Sequence, residues 1–205
     1  MRSLPQAMQL LQLLALLPDG VLLSELSSIV GNAFDWSQGS STLLQVALCT
    51  RDEIDRLRSL APIREYVQVQ FLFFMDIFRR VFAYYTSLAN STQKPGVSEP
   101  MAEMIRRLSP QIGNIHSIIQ HSFTEPSTLA EAIEAAISIA TFHNLLFKGS
   151  IVSLLNEALN CAHAADQPLL QALVLQRLAY VSPTDEQPPL YEEAISILRS
   201  LNDTD

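Results

Sequence analysis

Charged side chains are scarce in this 205-residue chain, and the cationic ones are dispersed. Charged residues make up 17% of the sequence, against about 25% in typical soluble domains. The formal net charge is -8, and basic residues cluster only in pairs such as Arg79-Arg80 and Arg106-Arg107. Because no basic stripe is available to contact phosphate groups, the composition argues against nucleic-acid binding.

Residues that commonly bind metals are also few. The two cysteines, Cys49 and Cys161, lie far apart and have no metal-ligand neighbour at a useful spacing, which predicts reduced, buried thiols in an intracellular protein. The histidines do not show the four-residue spacing of a helical metal pair. They are His116, His121, His143 and His163. The sequence therefore predicts no metal site.

The strings that support catalysis in many enzymes are missing. No Gly-x-x-x-x-Gly-Lys-Ser/Thr string is present, since no lysine follows Gly31 or Gly39 at that spacing. No Gly-x-Ser-x-Gly elbow surrounds Ser117, which lies near two of the histidines. The helical carboxylates fit solvated outer positions, and they are Glu131, Glu134, Glu192 and Glu193. We therefore expect a protein that is not an enzyme and has no cofactor.

No segment has the composition of a membrane span. Gln12 interrupts the leucine-rich run over residues 10–17, and no signal-peptide cleavage site follows it. The apolar run over residues 67–85 contains Asp76, Arg79 and Arg80, which would be costly in lipid. We expect a cytoplasmic protein that does not span a membrane.

Apolar residues, in contrast, make up 48% of the chain. Either nearly the whole chain is helical core, or one face is covered by another domain. Apolar spacing and turn residues in the first third predict the order helix, helix, helix and two-stranded wing, which is typical of a winged helix. The predicted elements are helices over residues 5–17, 21–30 and 40–46, a loop over 32–40, and strands over 45–50 and 56–60. Residues 52–60 are also compatible with a helix.

The rest of the chain is predicted to be helical. A long helix is expected from Pro62 to about Leu88, and a loop over residues 89–96. Short separators then predict hairpins of helices, arranged either as a tetratricopeptide-like array or as an irregular bundle. The predicted helices cover residues 97–122, 127–147, 150–165, 167–181 and 188–201. The predicted fold is mainly α, with a winged-helix domain (1–66), a connector helix and loop (67–96) and a helical hairpin domain (97–205).

One aromatic cluster lies on the predicted connector helix. At helical spacing, one stripe contains Phe71, Phe74, Phe78, Phe82 and Tyr85, and a second stripe contains residues 73, 77, 81 and 84. A helix that is apolar on both sides is buried between neighbours or forms an interface. We therefore treat the five aromatic residues of the first stripe as candidate interaction residues, for a protein partner or a second copy of the chain.

Several strings resemble one region of fungal NLR-like proteins, the winged helix that follows the NB-ARC or NACHT module of STAND NTPases. The resemblance is specific over the first 66 residues and looser beyond them. The strings are Leu14-Ala15-Leu16-Leu17-Pro18-Asp19-Gly20, Ser24-Glu25-Leu26, Thr42-Leu43-Leu44, Arg56-Leu57 and Leu60-Ala61-Pro62-Ile63-Arg64-Glu65-Tyr66. Further on, Ile112-Gly113-Asn114-Ile115-His116 is similar to the start of the helical repeats in the same proteins.

The resemblance implies a regulatory and protein-interaction part of a signalling protein. The winged helix would relay the state of a nucleotide-binding domain, on a longer chain or another protein, to a helical array that binds a ligand or partner. Many relatives have a Met-His-Asp motif whose histidine contacts the nucleotide. The matching place here falls near Leu60-Ala61-Pro62, which contains no histidine.

The alternative is a winged-helix transcription regulator with a helical dimerisation domain. Such a protein needs a cationic recognition helix. Residues 39–49, predicted to include the third helix, contain no lysine or arginine, which argues against this alternative.

Overall fold

A computed structural model describes residues 3–71, 73–93, 100–146 and 151–202. The fold is mainly α-helical with one small three-stranded antiparallel sheet, which confirms the predicted fold class. The helices are α1 (Ser3–Leu16), α2 (Leu23–Val30), α3 (Trp36–Gln45), α4 (Ala61–Gln70), α5 (Met75–Asn90), α6 (Met101–Leu108), α7 (Ile112–Ser122), α8 (Leu129–Leu146), α9 (Val152–Ala164), α10 (Pro168–Val181) and α11 (Gln187–Asn202). The strands are β1 (Val21–Leu22), β2 (Cys49–Arg51) and β3 (Arg56–Ser59), and short 3-10 helices cover Ser91–Gln93 and Ser109–Gln111. No helix of the described residues is long and apolar enough to span a bilayer.

The chain divides into two compact units. The first comprises Met1–Tyr85 and Arg106–Ile118, and the second comprises Thr86–Ile105 and Ile119–Asp205. The first unit thus continues beyond residue 66 and includes a later segment of the chain. The three domain boundaries deduced from the sequence stay a prediction.

The first unit begins with the element order of a winged helix, α1-β1-α2-α3-β2-β3. Strand β3 lies in the middle of the sheet, pairing with β1 through Val21 and Leu57 and with β2 through Cys49 and Ser59. Helix α1 packs against α3, α4 and β3. The predicted wing is therefore confirmed, with strands shorter than expected.

The prediction of a helix from residue 21 is wrong at its start. Val21 and Leu22 form β1, and the helix begins at Leu23. The Glu25 carboxylate accepts a hydrogen bond from the Leu22 N–H at 3.3 Å, which stabilises the helix N-terminus. Local apolar spacing missed the strand because its partner, β3, lies more than thirty residues further along the chain.

The predicted loop over residues 32–40 is also wrong in part, because α3 already begins at Trp36. The Asp35 carboxylate accepts a hydrogen bond from the Gln38 N–H at 3.0 Å and caps the helix. A Cβ on Gly39 would lie 2.9 Å from the Gln6 carbonyl oxygen, so the small residue lets α3 pack closely on α1. Tertiary packing thus outweighs the low helix propensity of this serine- and glycine-rich segment.

The single helix predicted from Pro62 to Leu88 is wrong, since α4 ends at Gln70 and α5 begins at Met75. Phe71 is extended, with φ -126° and ψ 133°, and its ring contacts that of Tyr66 at 6.2 Å between centroids. Aromatic and β-branched residues lose side-chain freedom in a helix, which favours a break in this aromatic segment.

The helix predicted over residues 97–122 is likewise divided. Helix α6 begins at Met101, and the residues before Pro100 in that prediction lie outside the described part of the chain. Pro110 lies in the 3-10 helix that separates α6 from α7. A proline within an α-helix removes a backbone donor and displaces the preceding turn, which accounts for the interruption.

In the second unit, the four predicted helices after residue 126 are confirmed within two residues wherever their ends are described. Helix α10 packs against α8, α9 and α11. Buried side chains of α10, such as Ala172 and Leu175, pack with Ala194 of α11. The second unit is therefore built of helices that pack on their neighbours in sequence, with α10 also contacting α8.

Leu14 lies in the core of the first unit, and Leu14→Ala is expected to lower the free energy of unfolding by about 3 kcal/mol. Helix α1 is apolar nearly all round, and the Leu14 side chain is fully buried. The measurement is a chemical melt followed by circular dichroism. Leu169→Ala is the matched control because Leu169 is exposed. Equal transition midpoints for both variants would contradict the core assignment.

Candidate functional site

A buried polar arrangement lies in the first unit. We call it the Asn114 cluster. It joins the turn after α1, the start of α2, strand β3 and helix α5. It also includes the last residue before α7 and a residue of its first turn. Its members are Asp19, Gly20, Glu25, Arg56, Tyr85, Gln111 and Asn114.

Asn114 is the centre of this cluster and is fully buried. Its side-chain N–H groups donate to the Gly20 carbonyl at 2.7 Å, the Tyr85 hydroxyl at 3.1 Å and the Gln111 amide oxygen at 2.9 Å. Its amide oxygen accepts from the Asp19 N–H at 2.9 Å, and its own backbone N–H donates to the Asp19 carboxylate at 3.2 Å. The Asn114 amide therefore holds the turn after α1 onto α7.

Arg56 reinforces the same turn. Its side chain is only 2% exposed. The guanidinium donates to the backbone carbonyls of Asp19 at 3.3 Å, Gly20 at 3.2 Å and Pro110 at 3.5 Å. A buried cation is costly unless it is hydrogen-bonded, so these carbonyls account for the arginine at this position of β3.

The Glu25 carboxylate links α2 to the same cluster. It accepts two hydrogen bonds from the Gln111 side chain, at 2.9 and 3.0 Å. Burial raises the pKa of both Tyr84 and Tyr85 above the ordinary value, and the nearby Glu25 charge raises it further by a smaller amount. Both phenols therefore stay protonated at neutral pH.

The Asn114 cluster brings together strings that carried the family resemblance. Asp19 and Gly20 come from the first string, Glu25 from the second, Arg56 from a later one and Asn114 from the last. The hydrogen bonds between Asp19 and Asn114 join residues 95 positions apart. Residues from four separate strings are thus joined by hydrogen bonds in one buried cluster. Their spacing in the sequence does not indicate this contact.

The five aromatic candidates have different environments. Phe78, Phe82 and Tyr85 are buried on α5, and the first two stack with ring centroids 6.3 Å apart. Phe71 is half-buried and Phe74 is 48% exposed, and both precede α5. They therefore do not form one continuous helical stripe, and an interaction role for the five residues stays a prediction.

Phe74 opens onto a cavity of about 610 Å³ within the first unit. Its lining includes Gln9 of α1 and the exposed side chains of Asp76, Arg79 and Arg80 of α5. The lining of this cavity is mixed in charge rather than uniformly basic.

The exposed face of α3 is uncharged. Ser37, Gln38, Ser41 and Gln45 are its exposed side chains, and α3 contains no lysine or arginine. Leu60, Ala61 and Pro62, where the resemblance would place a nucleotide-contacting histidine, form the cap and start of α4.

The wing does not add free positive charge beside α3. Arg51 forms an ion pair with Asp55 at 2.6 Å, and Arg58 lies 3.8 Å from Asp52. The Asp52 carboxylate also accepts the Arg56 N–H at 2.9 Å and so fixes the turn of the wing. These arginines are therefore balanced by carboxylates of the wing itself.

Among the described residues, the cysteine and histidine side chains do not come together in one metal site. Burial raises the pKa of the Cys49 thiol to about 11, and burial together with Glu157 raises that of Cys161. Burial lowers the pKa of His143, which favours its neutral form. Across the described residues, no three histidine, cysteine or acidic side chains are arranged to hold a metal ion.

The second unit contains a groove along α8, α10 and α11, which we call the α8–α10 groove. Two adjoining cavities of about 470 and 280 Å³ share the side chains of Ile137, Leu173 and Arg177. Tyr180 and Tyr191 line the smaller cavity, and Glu134 lines the larger one. The groove therefore has a mixed lining, in which apolar and aromatic side chains lie beside polar ones, with Glu134 as the carboxylate and Arg177 as the cation.

Arg177 is held by groups of the same groove. Its guanidinium donates to the Thr141 hydroxyl at 2.5 Å and lies 5.8 Å from the Tyr180 ring centroid. This contact joins α10 to α8 and sets one wall of the groove.

The carboxylates considered in the sequence lie at the surface. Glu131, Glu134, Glu192 and Glu193 are all exposed. Glu131 accepts a hydrogen bond from the Thr86 hydroxyl at 3.1 Å, whereas Glu134 lines the α8–α10 groove. Of the four, only Glu134 therefore belongs to a described cavity.

Comparisons of the chain with protein-family models, curated proteins and solved structures gave no significant match.

Proposed function

We propose that the chain is a non-catalytic regulatory and protein-interaction part of a fungal NLR-like, STAND NTPase-like signalling protein in the cytoplasm. The winged helix relays the state of a nucleotide-binding domain, supplied by a longer chain or another protein, to the helical second unit. The second unit binds a protein partner in the α8–α10 groove.

The observation that carries the proposal is the pairing of an uncharged winged-helix face with an open groove, elsewhere in the chain, that exposes apolar side chains. Exposed apolar side chains that line a groove are typical of binding surfaces. Leu173 and Tyr180 line this groove and are 36% and 49% exposed. In the first unit, the strings that resemble the STAND region supply most residues of the Asn114 cluster, which suits a rigid connection rather than a catalytic centre.

The partner-binding role is tested with a photo-crosslinking amino acid at Leu173 in the groove. Ile195 is the matched control position, because it is an exposed apolar residue of α11 outside the cavity linings. In extract of the organism that encodes the chain, position 173 is expected to give a discrete protein adduct that position 195 does not. Identical adduct patterns at both positions would contradict a groove partner.

The alternative function as a transcription regulator is tested by retardation of mixed-sequence duplex DNA in a gel. The wild type is expected to leave the duplex unshifted at low salt, because α3 offers no cation to phosphate groups. Ser37→Arg with Ser41→Arg is the control, since it places two cations on the exposed face of α3. Tight, salt-sensitive retardation by the wild type would favour the transcription regulator instead.

A further inference from the structure

Charge is distributed unequally between the two units. Among the described residues of the second unit, Arg177 and Arg199 are the only lysine or arginine residues. Exposed carboxylates occur on α8, in the turn between α10 and α11, and on α11. They are Glu131, Glu134, Asp185, Glu186, Glu192 and Glu193. Exposed carboxylates therefore outnumber arginines on the helices that form the α8–α10 groove and in the adjoining turn.

One cation, Arg177, lines both cavities of the groove. Arg177 already donates to the Thr141 hydroxyl and lies against the Tyr180 ring. Glu134, in contrast, is an exposed carboxylate in the groove lining. Within the lining the charges of Glu134 and Arg177 offset each other, so the excess of exposed carboxylates on these helices and the adjoining turn sets the local charge. Complementary charge steers association and disfavours wrong partners, and this excess favours an occupant with positive charge beside its apolar side chains.

The apolar side chains of the groove follow a helical spacing. Leu173 and Tyr180 are two turns apart on α10, which corresponds to about 10 Å along the axis. The same distance separates apolar side chains at i and i+7 of a helix lying along the groove. Ile137 of α8 and Tyr191 of α11 provide the two sides.

We propose that the α8–α10 groove binds an amphipathic helix of a protein partner that carries lysine or arginine beside its apolar face. The inference rests on the proposed function, because it names the class of partner for the same groove. The apolar face of the helix packs on Leu173 and Tyr180, and its cations face Glu134 and the surrounding carboxylates.

The probe is a synthetic amphipathic helical peptide of leucine, alanine and lysine, and its binding to the full chain is followed by fluorescence anisotropy. A matched peptide has glutamate in place of every lysine and the same leucine positions. The lysine peptide is expected to bind at least about tenfold more tightly than the glutamate peptide, and its binding is expected to weaken as salt is raised. Equal binding of the two peptides, or binding of neither, overturns the inference.

Paired variants locate the site of binding. Leu173→Ser and Glu134→Lys are each expected to weaken binding of the lysine peptide by about tenfold, since a lost apolar contact or a reversed charge is of that order. Ile195→Ser and Glu103→Lys are the controls, because both residues are exposed outside the cavity linings and Glu103 lies on α6, which is not a helix of the groove. Circular dichroism checks that every variant is folded. Equal effects of groove and control variants overturn the inference.

The two proposals fail in different ways. A protein crosslinked at position 173 whose binding is unaffected by Glu134→Lys overturns the basic-helix inference and leaves the proposed function in place. Lysine-peptide binding at the groove without a position-specific protein adduct from the extract supports the inference and counts against the proposed function.

Discussion

Replacing Asn114 with alanine is expected to lower the free energy of unfolding by about 3–5 kcal/mol. The substitution removes the amide that bonds to the Asp19 N–H, the Gly20 carbonyl and the Tyr85 hydroxyl. Because Asn114 is fully buried, these partners lose hydrogen bonds where water has little access. Each buried polar group without a partner costs about 1–3 kcal/mol. Denaturant titration followed by circular dichroism measures the change.

Asn144→Ala is the matched control for this prediction. Asn144 also lies on a helix, but its side chain is exposed. Its replacement is expected to change the free energy of unfolding by less than about 0.5 kcal/mol. If the two variants melted at the same denaturant concentration, the Asn114 cluster would not be a stabilising feature of the first unit.

Elements with a strong local pattern could be predicted from the sequence. The four helices after residue 126 have turn or proline separators, and their described ends agree with the prediction. The wing was found because strand-forming residues flank the Asp52–Asp55 turn, although residues 52–60 were also compatible with a helix. Asp52 resolves this ambiguity, because its carboxylate accepts two backbone N–H groups of the turn, at Ile54 and Arg56.

Other elements depend on contacts between residues that are far apart in the sequence. Strand β1 exists because Val21 pairs with Leu57. Helix α3 extends through serine and glycine because Gly39 permits close packing on α1. The aromatic run after Gln70 has helical periodicity, yet the backbone is extended at Phe71. In each case tertiary structure outweighs the local preference.

The candidate sites were even less accessible to sequence reasoning. In the sequence Asn114 stands out only as part of a resembling string, since nothing local distinguishes it from a surface asparagine. The signal that could have found it is its place one helical turn before the apolar Ile118, beside Ile115. The α8–α10 groove needs three helices to be placed side by side, so Leu173 and Tyr180 could not be distinguished from core residues.

Gly20→Ala is expected to destabilise the first unit by about 3–6 kcal/mol. Gly20 has φ of +72°, in the left-handed region where a Cβ is disfavoured. A Cβ there would also collide with the Leu57 carbonyl oxygen and with the Arg58 side chain. Strand β3 cannot move away easily, because it pairs with both neighbouring strands. The measurement is again a denaturant melt.

Gly31→Ala separates backbone strain from steric collision, which are the two causes of the loss of stability expected for Gly20→Ala. Gly31 also has positive φ, +55°, but the nearest atom to an added Cβ is Arg80 Nη1 at 3.6 Å, an ordinary contact. Its replacement should therefore cost only backbone strain of about 1–3 kcal/mol, because φ of 55° and ψ of -127° are a combination that L residues rarely adopt. The larger loss expected for Gly20→Ala comes from the close approach of the turn to β3, where the Gly20 carbonyl also accepts from Asn114 and Arg56. Equal losses for the two variants would mean that this close approach contributes nothing to stability, and that backbone conformation alone selects glycine after Asp19.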